Sequence, residues 1–328
     1  MTTLKDVAQL AHVSASTVSR AINNTSYVHP ETKERILKAI TELSYHPNLI
    51  VKGLQKGKYK IIGLIVPSTD LTIYSDLIPI IQKCAVEHGY QTIISVTNDN
   101  PETEKSALNH LRHSFVDGLI IAGTGGNNHL LRDIVASGIP VVQLLRYQEE
   151  TLGGVGADYI HAAMKAVEFL YQTGSRGIGL LNGSKLLAPF AKRYFGYHNM
   201  IKKVGLQENF ICLSDINSSY FDFGYQKVIQ LIHQSPETDA ILVGNDCIGL
   251  GVLKRLKEMH KKVPKDYRLI SLAGYKLGKY LETPLSSVEL PLNKIGKNAV
   301  EAVIGNIEGN FDVMYRVYAM NLVLRASC

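Results

Sequence analysis

The 328-residue chain is 45% hydrophobic and 20% charged, which gives room for two or three domains with sizeable cores. Cys84, Cys212, Cys247 and Cys328 are scattered with no Cys-x-x-Cys or Cys/His ligand spacing, which argues against a zinc or disulfide scaffold and fits a reducing cytosol. No apolar run approaches the roughly 18 residues of a membrane span, and the polar N-terminus does not read as a signal peptide, so a soluble cytoplasmic protein is expected. Charge is uneven. Residues 1–60 hold nine Lys/Arg against four acids, leaving the remainder of the net +6 chain close to balance. Basic charge gathered in one small head is the footprint of phosphate binding, not of a nonspecific polyanion or membrane partner.

Thr3-Leu4-Lys5-Asp6 opens a short helix, with Thr3 placed as cap and Asp6 three residues on as in a capping box. His12 and Val13 make a tight break, and His is among the few non-glycine residues that tolerate a left-handed turn. Ser14 caps a second short helix, Ala15–Asn23, whose outward face is expected to be Ala15, Ser16, Ser19 and Arg20. Two short helices joined by such a turn form a helix-turn-helix, whose second helix enters the major groove. Small residues let that helix approach base edges, and Arg can fork onto guanine. The plainer alternative is a pair of ordinary amphipathic helices. Pro30 then starts a third helix with Glu31/Arg35 and Glu34/Lys38 pairs and an apolar stripe of Ile36, Leu37, Ile40 and Leu43. Residues 1–46 therefore read as a small helical head. Pro47–Leu54 could form about two further helical turns within a linker over 47–59.

Beyond Gly57 short Val/Ile/Leu runs alternate with amphipathic stretches. The expected strands are 61–66, 92–96, 118–121, 141–144, 177–181, 240–243 and 268–272. The expected helices are 76–88, 102–113, 130–137, 160–173, 190–204, 223–234, 248–259 and 292–308. That order implies parallel sheets covered by helices on both faces, and a break near Gly153–Asp158 suggests two similar lobes.

Val13-Ser14-x-x-Thr17-Val18-Ser19-Arg20-x-x-Asn23, followed by Tyr45-x-Pro47-Asn48 and Leu54, resembles the lactose/galactose-repressor (LacI/GalR) family of bacterial transcription regulators. The resemblance continues through Ile62–Pro67, Val116–Ile120, Gly138–Val142 and Gly244-Asn245-Asp246 to Leu322-x-x-Arg325-x-Ser327, and so covers the whole chain. It implies an α-helical helix-turn-helix head joined to an α/β core of two doubly wound parallel-sheet lobes, like periplasmic sugar-binding proteins. By analogy the N-lobe is about 60–157 and 288–315, and the C-lobe about 158–287 and 316–328. The DNA-binding residues it implies are Thr3, Ser14, Ala15, Ser16, Thr17, Ser19, Arg20, Asn23, Asn48 and Leu54. Residues 47–59 would be a hinge that folds on the operator, with Leu54 wedged into the minor groove.

For the effector, the resemblance points to Ile73, Tyr74, Arg146, Arg193 and Asp246 at the mouths of the strands, where such folds bind ligands. Plainer roles stay open: Tyr74 as packing, Arg146 as a solvated loop charge, Arg193 and Asp246 as an ion pair or helix-end residues. Two positions depart from the family. Ala273 stands where an aspartate usually grips the ligand, and Leu187 where purine-responsive members carry arginine. A purine corepressor is disfavoured and an ordinary neutral sugar weakened, while Arg146, Arg193 and Lys185 suit an anion such as a sugar phosphate.

No enzyme signature is found. Gly183-Ser184-Lys185 lacks a Walker loop, Gly153-Gly154-Val155-Gly156 is not a dinucleotide fingerprint, and His110-x-x-His113 lacks a third ligand, so no cofactor or metal is expected. The reading is a cytoplasmic, sequence-specific DNA-binding regulator, a repressor controlled by a sugar or sugar phosphate. Its partners would be a pseudo-palindromic operator and a second copy of itself. Tetramers of the family carry an added leucine-rich helix, for which the end at Arg325-Ala326-Ser327-Cys328 leaves no room. The alternatives are a regulator whose effector is a phosphorylated carrier protein, and a sugar-binding or sugar-processing protein with an incidental head. The sequence leaves open the effector's identity, its sense of action and the operator.

Overall fold

A computed structural model describes residues 2–23, 26–45, 58–70, 73–216, 218–310 and 314–328. The chain divides into two compact units, Met1–Tyr59 and Lys60–Cys328. The first holds α1 (Leu4–Leu10), α2 (Ala15–Asn23) and α3 (Pro30–Glu42). Both halves of the Thr3/Asp6 capping box are made, and His12 sits at φ +53°, turning the chain between α1 and α2. Val7, Val18 and Ile36, all fully buried, bring the three helices together around one small core, and Tyr45 closes it. Leu37 departs from the expected stripe and is 53% exposed, because Ile36 and Ile40 already hold the inward face. Glu34 and Lys38 pair at 2.9 Å.

The second unit contains two six-stranded sheets among the described residues. The first uses β1 (Ile61–Val66), β2 (Gln91–Val96), β3 (Gly118–Ile121), β4 (Val141–Leu144) and β5 (Gly154–Ala157). Helices α4 (Ile73–Glu87), α5 (Pro101–Arg112) and α6 (Asn128–Ala136) connect them, and α7 (Tyr159–Gln172) leads to the second lobe. The second sheet uses β6 (Ile178–Asn182), β7 (Asn209–Cys212), β8 (Ala240–Val243) and β9 (Arg268–Gly274). Its helices are α8 (Ala188–Lys203), α9 (Tyr220–Gln234), α10 (Asp246–Glu258) and the one-turn α11 (Lys276–Lys279). The chain then runs through β10 (Ser286–Glu289), α12 (Leu292–Ile307), β11 (Tyr315–Tyr318) and β12 (Asn321–Val323).

The first sheet is ordered β11-β5-β4-β3-β1-β2 with every pairing parallel. The second is ordered β12-β10-β9-β8-β6-β7, parallel except for the antiparallel β10/β12 edge. The central strands β1 and β8 carry no polar side chain along their length because helices cover both faces. The first lobe buries Leu64, Ile120 and Val142 against α4 and α12, and Ile65, Leu119 and Ile121 against α5 and α6.

Among the described residues, three crossings join the lobes. The first leads from β5 into α7, the second from β10 into α12, and the third from β11 to β12. Two expected boundaries move accordingly. Val288 and Glu289 pair in the second sheet, and Arg316–Tyr318 pair with β5 in the first, because backbone ladders there outweigh their weak local patterns. The stretch expected as a break at Gly153–Asp158 is instead β5. Its glycines hid it from the hydrophobic pattern. A Cβ on Gly156 would lie 2.7 Å from the Tyr315 ring, so the close strand pair demands glycine.

Candidate effector cleft and nucleic-acid interface

The head presents its polar face on α2. The Ser14 hydroxyl accepts the Thr17 N–H at 3.2 Å and lies 2.7 and 2.8 Å from the Ser16 and Thr17 hydroxyls. Ser16 and Arg20 are exposed, whereas Thr17 and Ser19 are half-buried. Asn23 donates to Ser19 Oγ at 3.3 Å, spanning one turn. Ala15 turns toward the head's core instead of lying free on the outer face. Thr3 is exposed but holds Asp6, whose carboxyl lies below its ordinary range through the hydrogen bonds from Thr3. Asn48 and Leu54, with most of the expected hinge over 47–59, lie outside the described residues.

In the core, a cleft of about 510 Å³ opens where the strands of both sheets end, within the size range of small-molecule sites. From the first lobe it receives the turns after β1, β2 and β4 and the start of α4. From the second it receives the beginnings of α8 and α9 and the turns after β8 and β9. Ile73, Tyr74, Arg146 and Arg193 all line it. Asp246 does not. As the first residue of α10 it turns inward and is fully buried, leaving Asn245 and Cys247 to face the cleft. Its Oδ2 accepts the N–H groups of Tyr275 and Gly278, each at 3.0 Å. Asp246 thereby fixes the turn that carries Tyr275 into the cleft. Burial pushes its carboxyl up to about 6, against the hydrogen bonds from Ser271, Tyr275 and Gly278.

The two arginines differ in kind. Arg146 is 5% exposed, so it is no solvated loop charge. Its guanidinium forks onto Asp99, with Nη2 donating to Oδ2 at 3.1 Å and Nη1 to Oδ1, and Nη1 also reaches the Gly123 carbonyl at 3.2 Å. The ends of β2, β3 and β4 are tied together by this one side chain. The backbone is strained on both sides of the pair, with Asn98 at φ +52°, Asp99 at +56° and Leu145 at +63°. Burial works against the charge on Arg146, but Tyr74 and Asp99 outweigh it and the guanidinium's pKa is raised.

Arg193, equally buried at 5% exposure, has neither a hydrogen bond nor an ion pair with any described residue. Its guanidinium carbon lies 4.7 Å from the Tyr159 ring centre and 5.0 Å from that of Phe190. Burial lowers its pKa, partly offset by Tyr159, Tyr220 and Tyr74. The expected alternative of an Arg193–Asp246 ion pair is not formed. Burial also raises Tyr74 and Tyr159, and lifts Tyr220 to about 12, so these phenols stay neutral donors at ordinary pH.

Sequence reasoning missed Asp99, Tyr159, Phe190, Tyr220 and Tyr275. The available signal was position: each follows a strand end or lies in the first turn of the helix after one.

The family profile described as "Periplasmic binding proteins and sugar binding domain of LacI family" matches residues 59–318, and "Bacterial regulatory proteins, lacI family" matches residues 3–48. The chain belongs to the LacI family. It is therefore a DNA-binding transcriptional regulator under the control of an effector-binding core. It is 30% identical over 303 residues to catabolite control protein A of Priestia megaterium, covering 91% of this chain and 90% of that one. It is also 30% identical over 331 residues to the HTH-type transcriptional regulator IdnR of Escherichia coli, covering 97% of each. The ribose operon repressor of Halalkalibacterium halodurans is 29% identical over 309 residues, 94% of this chain and 91% of its own. In fold, the chain matches the lac repressor dimer bound to operator and the anti-inducer ONPF with a TM-score of 0.86 at 24% identity, covering 99% and 98% of the two chains. Among the described residues of this LacI-family chain, no helix is long and apolar enough to cross a membrane.

Proposed function

We propose that this LacI-family chain is a cytoplasmic, dimeric repressor without enzymatic activity, which reads a pseudo-palindromic operator and changes its grip when a small molecule enters the interlobe cleft. The observation that carries the reading is the union, in one chain, of a head with Ser16 and Arg20 exposed on its second helix and a two-lobed core with a ligand-sized cleft. A two-fold dimer presents two such helices related by the same symmetry as a palindrome. Repressors among the relatives support the sense of regulation, and the lac repressor dimer on its operator supports the assembly. Arg20, Ser16 and Ser19 would face base edges, with Thr3, Ser14, Thr17, Asn23 and Asn48 steadying the head on phosphates or beside bases, and Leu54 entering the minor groove.

Ile73, Tyr74 and Arg193 would line the effector, with Arg146 and Asp246 fixing the loops that surround it. The effector acts only through unequal affinity for the two lobe arrangements, so that binding in the cleft and binding on DNA are coupled reciprocally.

The test is to select DNA from a random duplex library with the full chain, then measure binding by fluorescence anisotropy. Enrichment of an inverted repeat, bound by the whole chain and lost on deleting residues 2–59, is the expected result. Failure to enrich any inverted repeat would exclude a sequence-specific repressor.

A further inference from the structure

Tyr318, at the root of the third crossing, reaches the other two through two different oxygens. It is the last residue of β11 and pairs with Ala157 of β5, and its carbonyl accepts the Asp158 N–H at 2.9 Å. Asp158 in turn caps α7, the first helix beyond the first crossing, by accepting the His161 N–H at 3.1 Å. The Tyr318 hydroxyl accepts a hydrogen bond from Asn298 Nδ2 on α12, the helix that follows the second crossing. One residue thus gathers all three crossings on the first-lobe side. On the second-lobe side a ladder does this work, since Glu289 and Asn321 pair between β10 and β12. Arg325 reinforces it by donating to the Leu285 carbonyl and to Ser287 Oγ, each at 2.8 Å. Between the two grips lie Leu290 and Pro291 of the second crossing and Ala319 and Met320 of the third, outside any helix or strand. Leu290 and Met320 are buried in the core, so these short links can turn without coming away from it.

We propose that Tyr318 is a positioning residue for regulation, whose hydrogen bond with Asn298 ties the hinge between the lobes to α12 and passes the lobe arrangement into the first lobe. This rests on the reading that lobe arrangement governs operator affinity, and it names the contact that transmits it. The path onward is packed. A Cβ on Gly296 of α12 would lie 2.7 Å from Ile80 Cγ2, so α12 and α4 meet closely there. The same α4 carries Asp76, which accepts the Lys276 N–H from the second lobe. Hinge and interlobe bridge are therefore two attachments of one packed pair of helices. Packed helices shift between discrete arrangements and do not deform smoothly, so a bond at the hinge root and a bridge at the cleft bias the same equilibrium. Without the Asn298 bond the crossings turn independently of α12, and the two attachments lose their link.

A double-mutant cycle on the full-length chain tests this, with the operator recovered by selection as the probe and no effector required. Asp76→Ala, which opens the bridge, should change operator affinity by about threefold or more in the parent chain, and by roughly half that factor or less in Tyr318→Phe. Asn298→Ala should act as Tyr318→Phe does, and the two together no more than either, because both remove one bond. Asn298→Asp, whose carboxylate can accept from the Tyr318 hydroxyl, should restore the response to Asp76→Ala. A residue needed only for packing gives no such rescue. Hydrogen exchange read by mass spectrometry adds a measurement free of DNA: Tyr318→Phe should speed exchange at Asp158 and in the first turn of α7 as well as beside the substitution. The inference is overturned if the Asp76 and Tyr318 effects are independent, if Asn298→Asp fails to rescue, or if exchange rises only beside residue 318. Should Tyr318→Phe fail to fold, Asn298→Ala carries the same comparison. Independent effects sink this inference alone. Operator affinity unchanged by Asp76→Ala in the parent chain sinks the reading beneath it, and the inference with it.

Discussion

Asp76, in the first turn of α4 on the first lobe, accepts the backbone N–H of Lys276 on the second lobe at 2.9 Å. The Lys276 ammonium lies 3.8 Å from the other oxygen of the same carboxylate. The pair bridges the lobes beside the cleft, since Tyr74 and Tyr275, each within two positions of one partner, line it. Asp76 is largely shielded while Lys276 is exposed, so the backbone N–H bond outweighs the ammonium contact. The bridge favours this arrangement of the lobes over any in which they part.

Asp76→Ala should therefore weaken effector binding by roughly fivefold to tenfold, about 1 to 1.4 kcal/mol, the worth of one hydrogen bond to a charged acceptor that is broken when the lobes separate. Asp76→Asn, which keeps an acceptor for the N–H, should lose less. Equal effector affinity in the Ala variant and the parent chain, read by calorimetry, would separate this bridge from lobe closure.

Asp99→Ala should destabilise the core by about 3 to 5 kcal/mol, because Arg146 is left as an uncompensated buried charge among strained turns. Asp99→Ala combined with Arg146→Met should recover much of that loss, since both charges are gone. Urea unfolding followed by tyrosine fluorescence measures both. A double variant no more stable than the single one would mean that the pair is needed for geometry and not only for charge balance.

The buried carboxyl of Asp246 gives the core a pH dependence of definite sign. Its folded pKa of about 6 is raised above the ordinary 3.8, so the fold prefers the protonated form. Its contribution to stability is complete below the unfolded pKa and is lost as pH rises through the folded one. Asp246→Asn should flatten the fall in stability across pH 4 to 6.5, a window set by those two values. It should also make the core more stable at neutral pH by an amount on the order of 3 kcal/mol. Thermal melts across that range would refute the assignment if the slope persists in the Asn variant.

Gly278 offers a geometric check on the same turn. A Cβ there would lie 2.5 Å from Asp246 Oδ2, a separation that real side chains do not adopt. Gly278→Ala should displace the turn that carries Tyr275 and weaken effector binding, while DNA binding without effector changes little. Retained effector affinity would show that Tyr275 does not need this anchor.

In the head, Arg20→Ala should cost roughly 1 to 3 kcal/mol and relax preference at one operator position, as loss of a guanine contact does. Uniform weakening across operator variants would mean that Arg20 only positions the head. Leu54→Ala is expected to reduce both affinity and DNA bending in a circular-permutation gel assay, since an apolar wedge unstacks a base step. An unchanged bend would remove Leu54 from that role.

The three helices of the head were legible because their determinants are local, although Ala15 and Leu37 lie on other faces than expected. A cap and its partner lie three positions apart, the turn needs a tolerant residue at His12, and the apolar residues of α1–α3 recur at helical spacing. The alternation of apolar runs with amphipathic stretches likewise placed most of the core strands and helices to within a few residues. It did not show β5, β7, β10, β11 and β12, whose short sequences become strands through ladders with distant neighbours. The cleft divides the same way. Strand ends pointed to the right loops, and the family resemblance picked out Ile73, Tyr74, Arg146 and Arg193, which line its wall. What each charge does there was decided only by the tertiary structure. Arg146 meets Asp99 from 47 positions away, Asp246 is spent on backbone groups 29 and 32 positions on, and Arg193 forms no ion pair among the described residues. Charge type is written in the sequence, but compensation depends on distance and burial, and these exist only after the chain has folded.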